Sequence, residues 1–420
     1  MDILIKEAEI INTNSQFHKK KKNIYLSNGI ISEISDATHQ AAKIIEGKNL
    51  KISVGWFDMW AFFGDPGFEH KEDLESGCKA AAAGGFTDVA ILPNSQPAVQ
   101  SKNAISYLKA ANYRNITQIH PIGAVSVDLK GEDITEMLDM HHAGAVAYSD
   151  GFNPVWNTDI LLKSLMYLKK FGGILIQRPE DKWLNKLGVM NESISSALLG
   201  LKGMPSISEE ITIERDIRLL EYTGGKIHFT NISTARSVEI IRQAKARGLQ
   251  VTCDIAAHQI AFDDGALLDF DSNLKVNPPF RSLKDIDAII EGLKDDTIDV
   301  LVSAHHPQDE ESKNLEFDLA DFGIIGLQTF FPLAGRISRQ IGEEKLIRKI
   351  TENPRKILGL EVPSFSEGSS ACFTIFDPDQ EWTFNTQNNY SKSANSPFLG
   401  QSMLGKVIAT INNNQVWINE

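Results

Sequence analysis

The chain has 420 residues, 42% of them hydrophobic and 23% charged, with a formal net charge of −13. That composition suits a soluble globular protein with a large core and more than one domain, and its acidity disfavours nucleic acid or an anionic membrane as partner. Cys78, Cys253 and Cys372 lie far apart with no CxxC pair, which argues against a disulfide framework or a structural zinc and favours a reducing cytoplasm.

The opening "MDILIKEAEIIN" alternates as a strand does and has no apolar run of signal-peptide length. No stretch approaches the ~20 apolar residues of a membrane helix. "NIYLSNGIISEIS" and "AKIIEGKNLKI" continue the strand pattern, separated by Asn/Gly turn signals. The lysine run Lys19–Lys22 is expected at a solvated hairpin tip. A hydrophobic strand then hands over to "GWFDMWAFFGDPGFEHKED", whose second half has the charged and Gly/Pro composition of an active-site loop. Its first half is aromatic.

From there strand-like runs alternate with amphipathic helical segments. "DVAILPN", "GAVAYSD", "GILIQRPED", "KIHFTNIST", "LQVTCDIAAH" and "DVLVSAHHP" each follow a helical stretch. Strand, loop and helix repeated over roughly 300 residues argue for parallel β/α units, and a (β/α)8 TIM barrel fits that length. After the barrel, "ACFTIFDPDQEW" and "GKVIATINNNQVWINE" read as strands again. The expected architecture is an α/β barrel over 53–361. A small β-sandwich is built from 1–52 and 362–420.

Barrel chemistry sits where strands end. Those ends are Asp58 to Asp65, Pro93-Asn94, Ser149-Asp150, Arg178 to Asp181, Asn231, Asp254 to His258 and Ala304 to Gln308. Asp150, Glu180, Asp181, Asp254, His258, His305 and His306 are metal-capable types, but they form no HxH or HExxH motif. Neighbours in an extended segment point to opposite faces, so only one of His305 and His306 is expected to face the barrel interior. The bland reading is a polar rim with satisfied histidines.

The blocks "DPGFEHKEDLESGCKAAAAGGFT", "LPNSQP", "GAVAYSDG", "ISTARSVEIIRQAK", "NPPFRS", "FGIIGLQT" and "ENPRKILGL" carry a specific resemblance. The chain resembles the bacterial, multifunctional-complex type of dihydroorotase, in the amidohydrolase superfamily, over essentially its whole length. The resemblance implies one or two zinc ions activating a water, with an aspartate moving the proton. It also implies that this sequence departs from the family at the site. The first pair of metal ligands falls on Trp60 and Phe62, and the substrate-carboxylate arginine on Gly64. Two further ligand histidines fall on Arg178 and Asn231. The catalytic aspartate falls on Ala304, and a substrate-holding histidine on Gln308. Asp150 matches the metal-bridging aspartate. Asn94 and Asn277 match substrate-contacting asparagines, with bracing of loops as their bland alternative. His228 and His305 match positions that are usually histidine without being core ligands.

Several expectations follow. Trp60 and Phe62 fill a vacated metal site, and no cofactor is bound. Arg178 pairs with Asp150, placing a side-chain cation where the metal stood. By resemblance, such an inactive member supports pyrimidine biosynthesis as a partner of aspartate transcarbamoylase, and forms a homodimer. The rival is a working, zinc-dependent cyclic amidohydrolase rewired around His258, His305, His306, Asp254 or Cys253. A third reading is a small-molecule sensor using Asn94 and Asn277.

Overall fold

The computed structural model describes residues 2–419. Eight parallel strands form the central sheet: β1 (Trp56–Ala61), β2 (Phe86–Ile91), β3 (Gln118–Gly123), β4 (Ala147–Tyr148), β5 (Leu175–Gln177), β6 (Ile227–Phe229), β7 (Val251–Ala256) and β8 (Val300–Val302). They lie in sequence order, and a parallel bridge from Ala61 to His305 closes the ring. The fold is a (β/α)8 barrel.

Strand alternation explains two cores. Phe57, Met59, Ile122, Ile176, Val300 and Val302 point inward and fill the barrel. Trp56, Phe86, Phe229, Cys253 and Leu301 point outward under the helices. Those helices start at sequence-encoded caps. Asp73 caps Leu74–Ala83, Thr234 caps Ala235–Ala246 and Ser282 caps Leu283–Lys294. The strand expected to end near Asp58 runs on to Ala61. Asp58 is therefore a buried barrel residue, bonded by the backbone N–H of Ser303 (3.0 Å) and by its hydroxyl.

Burial raises the Asp58 pKa to about 7 from an ordinary 3.8, against the pull of the Ser303 hydrogen bonds. The folded state thus holds this proton more tightly than the unfolded chain. Its stabilising contribution is full below pH 3.8 and is lost as pH rises through about 7. Asp58→Asn should flatten the stability–pH curve over that window, measured by urea unfolding at a series of pH values. A variant curve parallel to that of the parent would rule this out.

The strands at the two ends of the chain share one eight-stranded sheet, ordered 415–418, 402–412, 373–383, 51–54, 3–10, 21–27 and 30–35. Strand Lys43–Ile45 also pairs with Ile3–Ile10. The segment "AKIIEGKNLKI" is thus two short strands, Lys43–Ile45 and Lys51–Val54, both parallel to Ile3–Ile10. Asn28-Gly29 and Asn413-Asn414 take the left-handed conformations that tight hairpins need. At the lysine run, Lys19 pairs with Glu344 and Lys22 with Asp36. Among the described residues no helix is long and apolar enough to cross a membrane.

One excursion leaves the barrel after β5. It carries a two-stranded pair, Met190–Asn191 with Gly203–Met204, and the helix Ile194–Leu199 before helix Ile207–Thr223 begins. The Asp181 amide donates to the Ser208 hydroxyl at 2.9 Å and ties the ends together.

Candidate functional site

At the C-terminal mouth of the barrel the chain places aromatic rings. Trp60 and Phe62 are each 4% exposed and pack with the inner barrel core. The Phe62 amide donates to the His305 carbonyl at 2.9 Å, which locks the ring at the seam between β1 and β8. Phe62 meets Phe152 edge-on at 5.4 Å and His306 at 5.8 Å between ring centroids. Phe152 and His306 stack at 3.9 Å. Burial, and then the Arg178 guanidinium, hold the His306 pKa well below the usual imidazole range, so this ring is neutral in the stack. His305 turns the other way, with Nε2 3.3 Å from the Glu72 carboxylate.

The loop after β1 has the expected frame without the expected clamp. A Cβ at Gly64 would lie 2.4 Å from the Phe68 carbonyl oxygen, so this backbone admits no side chain there. The rest of the frame has structural work. Glu72 is fully buried and accepts from the Ser76 and Ser391 hydroxyls and from the Lys392 amide. Lys71 donates to Gln308 Oε1 at 2.5 Å.

Asp150 is 1% exposed, and its carboxylate is already occupied. It accepts from the amides of Val125 (3.0 Å) and Ser126 (2.9 Å) and from the Ser126 hydroxyl (2.5 Å). Burial raises its pKa to about 6, with these bonds opposing the rise. The expected pairing of Asp150 with Arg178 does not form. Arg178 Nη2 lies 3.0 Å from Glu180 Oε2 instead, and Nη1 donates to the Phe152 carbonyl at 2.7 Å. Two residues apart in an extended segment, Arg178 and Glu180 fall on one side. Asn277 extends this network, donating to Glu180 Oε2 at 3.1 Å.

Asn94 braces the turn after β4. It donates to the Asp150 carbonyl at 3.2 Å and accepts from the Phe152 amide at 3.1 Å. A Cβ on Gly151 would sit 1.6 Å from the Asn94 side-chain oxygen, so the glycine of "SDG" belongs to this brace.

The residues that could rewire a site are not assembled. Asp254 accepts from the Asn231 amide at 2.6 Å and lies 2.8 Å from His228 Nε2. Cys253 faces the outer core, its thiol pKa pushed up by burial. His258 lies against Phe280, and burial lowers its pKa to about 4. Trp60, Arg178, Asn231, His258, Ala304 and His306 surround a cleft of about 30 Å³. Ordinary small-molecule sites enclose ~300–1,000 Å³.

A model of the dihydro-orotase-like family matches residues 51–237. A dihydroorotase of Pelotomaculum thermopropionicum is 39% identical over 415 residues, 98% of this chain and 97% of that protein. The chain belongs to the dihydroorotase family. A second dihydroorotase, from Geobacter sp. (strain M21), is 38% identical over 421 residues and covered to 99% on both sides. Among solved structures, an L-hydantoinase (dihydropyrimidinase) from Arthrobacter aurescens superposes with a TM-score of 0.84 at 21% identity, covering 99% of this chain and 95% of that one. That likeness is one of fold.

Zinc in a dihydroorotase needs three or four nitrogen, oxygen or sulfur donors. Here the corresponding positions offer an indole, a phenyl ring, a guanidinium and an amide. Asn231 Oδ1 and His258 Nδ1 are buried without a hydrogen-bond partner, but they are two donors beside a fixed cation. Among the described residues no group of three or more His, Cys, Asp or Glu side chains is placed to hold a metal ion. The side chains at this site do not fit the metal.

Two features of the site lay beyond the sequence reading. Glu180 is the partner of Arg178, which the i, i+2 spacing in "RPED" signals. Phe152 and His306 are the partners of Phe62, and nothing local in the sequence joins them.

Proposed function

We propose that this chain is a non-catalytic dihydroorotase-like protein of pyrimidine biosynthesis, serving as a structural or regulatory partner of aspartate transcarbamoylase. The observation that carries the reading is the replacement of donors at the barrel mouth. Trp60 and Phe62 pack as core, Arg178 is tied to Glu180, and Ala304 has no group to move a proton. Loss of one ligand can be offset by a neighbour, but here the substitutions fall on several strands at once. The barrel (53–361), the terminal β domain (1–52 with 362–420) and a cytoplasmic location belong to the same proposal, with strand Lys51–Val54 crossing that boundary to pair in the terminal sheet. The three buried free cysteines suit a reducing compartment.

A second reading, an active amidohydrolase with a rewired site, draws its support from relatives named dihydroorotase along the whole chain. A sensor reading has less support, since Asn94 and Asn277 are spent on Asp150, Phe152 and Glu180. The experiment is metal analysis of protein purified without chelator, paired with a dihydroorotate hydrolysis assay. We expect zinc at background and no turnover. Stoichiometric zinc together with hydrolysis would overturn the proposal. Co-migration with aspartate transcarbamoylase on size exclusion tests the partner; no co-migration and unchanged activity of that enzyme would remove it.

A further inference from the structure

A cleft of about 540 Å³ lies where helix Phe330–Ile341 meets the terminal sheet. Strands Phe373–Thr383 and Ser402–Asn412 supply one wall, and helix Glu343–Ile350 supplies another. None of its lining residues belongs to the barrel mouth. Its floor is apolar: Phe331, Leu346, Phe376 and Met403 are buried there. Its rim is cationic. Arg336 and Arg339, one turn apart on the helix, are exposed and both border the cleft. Among the described residues neither makes a hydrogen bond or an ion pair, although the chain has 55 acidic residues against 42 basic ones. The carboxylates that also line the cleft are engaged elsewhere. Glu343 pairs with Lys51 at 2.7 Å, and Asp379 accepts from Asn49 Nδ2 at 3.3 Å.

Gly335 adds an independent observation. It stands in the middle of the helix, where glycine destabilises relative to alanine, and it lines the cleft. A Cβ built there would meet no atom within 4 Å, so packing does not require the glycine. Bare backbone at that point keeps the cleft open. We infer that the cleft binds a small organic anion, its carboxylate held by the two guanidiniums and its apolar body laid on the floor. The guanidinium fork matches a carboxylate in shape and charge. The volume falls within the ~300–1,000 Å³ of small-molecule sites, and an apolar lining with a few convergent polar groups is their usual make-up. An inorganic anion would leave the apolar floor unused, and a neutral apolar molecule would leave the arginines unused. Bound there, the anion would bridge the helix and the terminal sheet.

The test is equilibrium dialysis of naphthoate, an aromatic carboxylate, against the full chain. One naphthoate should bind per chain, with a Kd of about 1 mM or below. Naphthalenemethanol, the neutral analogue, should bind at least about tenfold more weakly. Arg336→Gln with Arg339→Gln should weaken naphthoate by a similar factor. Gly335→Leu should abolish binding while keeping or raising the unfolding midpoint, because leucine is the better helix former. Arg218→Gln, at an exposed arginine outside the cleft, should leave binding unchanged. No saturable binding, equal affinity for the alcohol, or equal weakening by Arg218→Gln would overturn the inference. A Gly335→Leu variant that binds as the parent does would overturn it too. So would full displacement by equimolar inorganic phosphate, which would make the arginines a site for an adventitious ion only.

Discussion

Phe62→Ala should cost about 3–5 kcal/mol of folding stability while zinc content stays at background. The size follows from the ring's setting. It is 4% exposed and touches Phe68, Phe152 and His306. Truncation removes the buried ring and leaves a cavity that the backbone cannot collapse, since the Phe62 amide is fixed to His305. Each lost aromatic pair adds ~0.5–1.5 kcal/mol beyond area alone. Urea unfolding gives the measurement. A loss under about 1 kcal/mol would mean that the ring lies loose in an open mouth, and the idea of a filled metal site would fail. The converse change is equally informative. Trp60→His with Phe62→His supplies two imidazoles but leaves the Arg178 cation in place. At ~4 Å and an effective dielectric of ~20, a unit positive charge meets about 4 kcal/mol of repulsion. Zinc should therefore stay absent until Arg178 and Asn231 are also replaced by histidine.

How much of this was legible in the sequence depends on the range of each interaction. The barrel strands were, because apolar runs alternate with amphipathic helices and each run needs only its own residues to be seen. The barrel's closure through Ala61 and His305 was not, since those residues lie far apart in the chain. At the site, the side-chain types said which groups stand at the strand ends. They did not say which groups those side chains pair with. Arg178 was expected to seek Asp150, but the Ser126 and Val125 donors had already filled that carboxylate. The competition was decided by the loop after β3, which no motif marks. For Asn94 the sequence left substrate contact and loop bracing both open, and the fold shows its amide holding the turn at Gly151. The exposure of Ile194 and Leu198 on the excursion was not legible either, because exposure is a property of the fold and not of the residue.

Arg178→Met should destabilise the protein by about 3–5 kcal/mol, and Glu180→Gln should return part of that loss when added to it. The pair is nearly dry, with side-chain exposures of 9% and 15% at a separation of 3.0 Å. Removing the guanidinium strands the Glu180 carboxylate, whose other bond comes from the Asn277 amide. It also leaves the Phe152 carbonyl without its donor. Glutamine at 180 is neutral and still offers Asn277 an oxygen, so the double variant loses a bond without keeping a buried charge. The double-mutant cycle isolates that coupling. A coupling below about 0.5 kcal/mol would show that water screens the pair and that the mouth is wetter than its packing suggests. A large one has a functional meaning. The Arg178 cation would then be part of what holds the barrel mouth together. Building a zinc site on these strand ends would then require dismantling a stabilising network, so replacing Arg178 with a metal ligand would first weaken the fold.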